Sequence, residues 1–149
     1  MKFFRDKLYE DITIPAPPKD DIGEAAEVKR LIANRTAEQE KSIADHDEVP
    51  FYAIKKYCDD NKMMFHKDEF KDIIYGATDT INYFKDKFDR KRPIEVDKTL
   101  DTSPSKTNKT PSYPSGHAAQ SRIVAKYVAG KFPEHEAELI EAGNECGYG

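Results

Sequence analysis

Two short runs hold the residues best suited to chemistry. The first is Lys85, then six residues, then Arg92-Pro93. An ammonium and a planar guanidinium converging on one point are what a phosphate dianion needs. Seven residues is close to two helical turns, so on a continuous helix Lys85 and Arg92 project from one face. Lys87, Arg90 and Lys91 lie between them, against Asp86 and Asp89 alone. A solvated helix end whose cations complement the helix dipole has the same composition.

The second run is Pro114-Ser115-Gly116-His117. Placed at the start of a helix, it has a direct physical reading. A helix N-terminus presents free backbone N–H groups and a positive dipole end, and so binds anions. Ser115 can cap the helix and donate to a phosphate oxygen. Gly116 allows a close backbone approach. His117 sits where an imidazole can pass a proton to a leaving-group oxygen. A plain Ser cap beside an incidental histidine is the structural alternative. In a chain of this composition the first pattern arises by chance in roughly one chain in thirty, and the second in about one in two thousand. The second therefore carries most of the weight.

Helices are expected to position both runs. Residues 12–21 are proline-rich and extended, the end of an arm covering residues 1–21. Ala25, Val28, Leu31 and Ile32 have helical spacing. Thr36 and Gln39 fit a capping box that opens a second helix. Pro50 opens a third segment, with Phe51, Ile54 and Tyr57 on one face. The strongest helix is predicted over 67–91, where Phe70, Ile73, Ile74, Ala77, Ile81, Phe84 and Phe88 form one stripe. It should end at Arg92, because a residue before proline is pushed out of the helical region. Residues 97–113 are rich in Thr, Ser, Lys, Asn and Pro and read as a long loop. A further helix is expected over 115–131, with Ile123, Val124, Tyr127 and Val128 as its core face. Pro133 suits the first position of a last helix reaching about Ala142. The expected architecture is all-α, a single-domain helical bundle over 1–149.

Composition bounds the function. With 38% hydrophobic and 35% charged residues, the chain should be soluble. A net charge of −4 gives no general attraction to nucleic acid or to an anionic membrane. No apolar run approaches the ~20 residues that span a bilayer. The start Met1-Lys2-Phe3-Phe4-Arg5-Asp6-Lys7 breaks any signal-peptide core, so the expected location is cytoplasmic, or that of a mature domain without its leader. Cys58 and Cys146 make no disulfide framework, in keeping with a reducing compartment. A homo-oligomer stays open.

Lys-x6-Arg-Pro followed by Pro-Ser-Gly-His resembles the first two of three signature motifs of the phosphatidic acid phosphatase type 2 superfamily, which includes bacterial class A acid phosphatases and vanadium haloperoxidases. The run Ser112-Tyr113-Pro114-Ser115-Gly116-His117 looks most like the class A acid phosphatases. So do Ile14-Pro15-Ala16-Pro17-Pro18 and Asn34-Arg35-Thr36. The resemblance implies phosphate binding by Lys85, Arg92, Ser115 and Gly116, with His117 as the catalytic general acid. The implied partner is a small phosphorylated substrate or inorganic phosphate, with no cofactor and no metal. The third motif, Ser-Arg, five residues, His, three residues, Asp, carries the nucleophilic histidine, and this sequence has no such motif. Residues 141–149 resemble the approach to it, so the expectation is a phosphatase truncated before its nucleophile, with little or no turnover.

None of the other histidines fits that pattern. His135 reads as an exposed helix-start residue, His66 as a surface or cap residue. His46 lies between Asp45 and Asp47, a weak metal signal without further ligands. Two alternatives stand beside phosphomonoester hydrolysis. One is a non-catalytic helical domain that binds phosphate or a protein partner. The other, ranked lower, is a vanadium haloperoxidase-like enzyme, whose relatives are generally much longer.

Overall fold

The computed structural model describes residues 4–64, 66–106 and 108–148. Among the described residues seven helices are formed: α1 Asp21–Ala33, α2 Ala37–Glu48, α3 Tyr52–Asp60, α4 Lys67–Phe88, α5 Pro93–Val96, α6 Gly116–Lys131 and α7 Glu136–Glu145. Short 3-10 turns cover Leu8–Glu10, Pro133–His135 and Cys146–Tyr148. No strand occurs among the described residues, and the fold is an all-α bundle. No described helix is long and apolar enough to cross a membrane.

The starts of the helices follow from local chemistry. Asp20 caps α1 by accepting the Gly23 N–H. Thr36 and Gln39 close a reciprocal capping box on α2. Ser115 caps α6 by accepting the Ala118 N–H at 3.3 Å. The N-terminal arm is less uniformly extended than expected, since Leu8–Glu10 makes a helical turn. Its proline segment is tied down where the Tyr113 hydroxyl donates to the Pro15 carbonyl at 2.8 Å.

Apolar stripes from four helices meet in the core. Phe51, Ile54 and Cys58 come from one side, Phe70 and Ile73 from α4, and Val124, Ala125, Val128 and Ala129 from α6, with Leu139 of α7. Burial of each large aliphatic or aromatic side chain contributes about 1.5–3 kcal/mol. The buried face of α6 is rotated from the expected one. Ala125, Ala129 and Ser121 join Val124 and Val128 inside, while Ile123 and Tyr127 are only partly covered. The small residues let α7 approach closely: a β-carbon on Gly143 would stand 2.7 Å from that of Ala125.

One boundary departs from expectation in a way that matters for the site. α4 stops at Phe88, three residues before Lys91. Asp89 turns into the left-handed conformation at φ 42°, and its N–H closes on the Lys85 carbonyl. Left-handed Asp is tolerated because its short polar side chain bonds locally. Arg92, at ψ 152°, is extended as a residue before proline should be, and it opens α5, a turn the sequence reading omitted.

Candidate functional site

Lys85 and Arg92 do not share a helix face, contrary to the spacing argument, because the chain leaves α4 between them. The turn at Asp89 and the strand-like path to Arg92 nevertheless return the guanidinium to the lysine's neighbourhood. Arg92 stands close enough to help push the Lys85 ammonium below its ordinary pKa, after the larger effect of burial. Burial likewise lowers Arg92, opposed by Glu95.

Lys85 is only 6% exposed. A buried ammonium must be paired, and it donates to the Pro111 carbonyl at 2.5 Å. Arg92 Nε donates to the Thr110 carbonyl at 2.7 Å. The long loop after α5 thus threads its backbone oxygens past both cations before delivering the Ser112–His117 run. Ser112 anchors that approach by donating its N–H to the Arg90 carbonyl and its hydroxyl to the Lys91 carbonyl. Arg90 itself pairs with Glu24 and Asp21 of α1, so its role is to dock α1 rather than to face the site.

The start of α6 lies against the end of α4. A β-carbon on Gly116 would fall 3.8 Å from Lys85 Cε and 3.9 Å from Ile81 Cγ2. The Gly116 and His117 amides are the first of the helix and have no intrahelical acceptor. Ser115 is exposed. A hydroxyl that accepts from a capped N–H keeps its hydrogen for donation. His117 is pulled below the usual histidine range first by burial, then by the positive charges of Lys85 and Arg92, with Asp47 acting in the opposite sense. The imidazole, both cations and the helix N-terminus therefore act in one electrostatic neighbourhood. A concentration of positive potential of this kind stabilises an incoming oxyanion and the charge that develops on it.

Asp47 is a neighbour of His117 that no sequence pattern announces. Its Oδ1 lies 3.9 Å from His117 Nδ1 and accepts the Ser105 hydroxyl at 2.6 Å. No local pattern links residues 47, 105 and 117; only the packing of α2, the loop and α6 does. The C-terminal turn borders the same region. A β-carbon on Gly147 would lie 3.8 Å from that of Ala118, and the Ser42 hydroxyl donates to Glu145 at 3.1 Å. Burial, with Asp47 adding, pushes the Cys146 thiol up to about 11, so this cysteine is a protonated, apolar filler at neutral pH.

The remaining histidines lie elsewhere or have structural partners. His46, considered as a metal ligand, is 4% exposed, and its Nδ1 lies 2.8 Å from the Ser42 carbonyl. Among the described residues no group of three or more His, Cys, Asp or Glu is placed to hold a metal. His135 does stand at a helix start, as the residue preceding α7, but it is not exposed. It is half-buried, with Nδ1 2.6 Å from the Tyr57 hydroxyl, because the Pro133 turn folds it back onto α3. His66 precedes α4, is exposed, and makes no side-chain cap. Both cysteines are free and buried.

Comparisons with protein-family models, with curated proteins and with solved structures find no match.

Proposed function

We propose that residues 85–117 form the phosphate-binding half of a histidine phosphatase site acting on small phosphate monoesters. The observation that carries the reading is the seating of the α6 N-terminus on Lys85, with Arg92 and His117 in the same electrostatic neighbourhood. In this reading the Lys85 ammonium, the Arg92 fork, the Ser115 hydroxyl and the Gly116 amide hold the phosphate oxygens. His117 is the general acid that protonates the leaving alcohol, a role worth ~10²–10⁴ in rate. The nucleophile is not assigned within residues 1–149, since no histidine has an arginine six residues before it and an aspartate four after.

The first test is binding. Calorimetry of the 149-residue chain with inorganic phosphate should give a saturable isotherm that Arg92→Ala weakens. A flat isotherm for the unaltered chain would end the proposal. The second test is p-nitrophenyl phosphate hydrolysis, compared with a form extended through a Ser-Arg-x5-His-x3-Asp segment. The short form should turn over little and the extended form efficiently. Full activity of the short form would overturn the assignment of the nucleophile to the third motif.

A phosphate-binding domain without catalysis is the second reading: no histidine within residues 1–149 has the arginine and aspartate spacing of the third motif. The two readings part at His117. In a binding domain, His117→Ala changes little, whereas in the enzyme it reduces rate more than affinity.

A further inference from the structure

We propose that Asp47 is the positioning residue of His117: delivered by the last turn of α2 and pinned by Ser105 of the long loop, its carboxylate orients the imidazole and sustains its proton beside the phosphate site. The inference rests on reading His117 as the general acid.

Three segments make this arrangement, with Asp47 far in sequence from the other two. Asp47 Oδ1 stands 3.9 Å from His117 Nδ1, and Ser105 Oγ donates to the same oxygen at 2.6 Å. At 3.9 Å the carboxylate and imidazole interact as charges rather than through a hydrogen bond. The Asp47 and His117 side chains are 24% and 28% exposed, so solvent screens the pair less than it would on an open surface.

The chemistry requires such a group. Lys85 from α4 and Arg92 from the start of α5 both disfavour an imidazolium, as does burial. From α2 Asp47 faces the ring with the opposite charge. Beyond it, at the C-terminal turn, lies the neutral Cys146 thiol, and Glu145 is engaged by Ser42. Without Asp47 nothing among the described residues of this neighbourhood would oppose burial and the two cations, and the ring would hold its second proton still less well. Asp47 opposes them in part, and a carboxylate on the Nδ1 side favours the ring orientation and tautomer that keep the proton on that nitrogen.

The test follows the His117 ring by long-range proton–nitrogen NMR in the full chain through a pH titration, with the resonance assigned by H117Q. Asp47→Asn keeps the shape and removes the charge; the His117 midpoint should move to lower pH. Asp47→Glu should restore it in large part. Ser105→Ala should move the midpoint in the same direction by less. An aspartate with only a structural role would alter stability and leave the midpoint in place, so an unmoved midpoint in folded Asp47→Asn overturns the proposal. Should that variant fail to fold, an unmoved midpoint in folded Ser105→Ala overturns it equally. Adding inorganic phosphate to the same samples separates the two levels. If phosphate leaves the His117 ring undisturbed, the phosphatase reading fails, while the coupling to Asp47 is still measured.

Discussion

Gly116 packs against Lys85, with 3.8 Å between the lysine Cε and the place a β-carbon would occupy on the glycine. That distance is ordinary van der Waals contact. The glycine is therefore not required by packing at this point, nor by its backbone, since no glycine has positive φ among the described residues. In the proposed site its use is the space it leaves above the first amides of α6.

Gly116→Ala separates stability from binding. The variant should be as stable as the unaltered chain or more so, by about 0.4–1 kcal/mol, because alanine restricts the unfolded chain. Its affinity for inorganic phosphate should fall, since a methyl group then stands beside the anion. Thermal melts and calorimetry on one preparation read both effects. A variant that melts lower and binds unchanged contradicts the reading.

Arg92→Ala should weaken inorganic phosphate about 10- to 100-fold, the loss of a charge-assisted hydrogen bond worth ~1.5–3 kcal/mol. Arg92→Lys should recover part of it, because a point charge replaces a fork. Equal affinities for all three proteins would remove Arg92 from the site.

Anion binding should depend on pH through His117. Its pKa is depressed chiefly by burial and further by Lys85 and Arg92, and a bound oxyanion raises it again. Sulfate, which does not titrate in this range, should therefore bind more tightly as pH falls through the His117 midpoint and take up protons on binding. Calorimetry in buffers of different ionisation enthalpy measures that uptake, and His117→Ala should abolish it. The same shift has a stability sign. With the folded pKa below the ordinary 6.5, the unfolded chain protonates first. The His117 contribution is then complete above pH 6.5 and is lost as pH falls toward the folded midpoint.

Gly143→Ala tests the α6–α7 seam. A β-carbon there would lie 2.7 Å from the Ala125 methyl and 3.3 Å from the Ser121 carbonyl. Overpacking should destabilise by about 1–3 kcal/mol, a lowered urea midpoint with unchanged slope. The contrast with Gly116 is sharp, since the same substitution is expected to act in opposite directions.

Helices were legible where the cause is local. The Thr36–Gln39 box, the Ser115 cap and the stripe of α4 each follow from side chains within a few residues, and all three are present. The end of α4 is not legible, because nothing in the local pattern announces the left-handed turn at Asp89. Nor is the burial of His135, because its partner, Tyr57, lies 78 residues away.

By itself the sequence specified the all-α class, the boundaries set by caps and prolines, and the residues of the two runs that face the candidate site. Only tertiary structure decided how those residues meet. Lys85 and Arg92 come together through a turn rather than along a helix face, Gly116 reaches Lys85 through the α4–α6 contact, and Asp47 reaches His117 from α2. The reason is physical: caps and periodicity act over one or two helical turns, whereas the field at His117 is a sum over charges brought from three separate segments by the burial of a shared core.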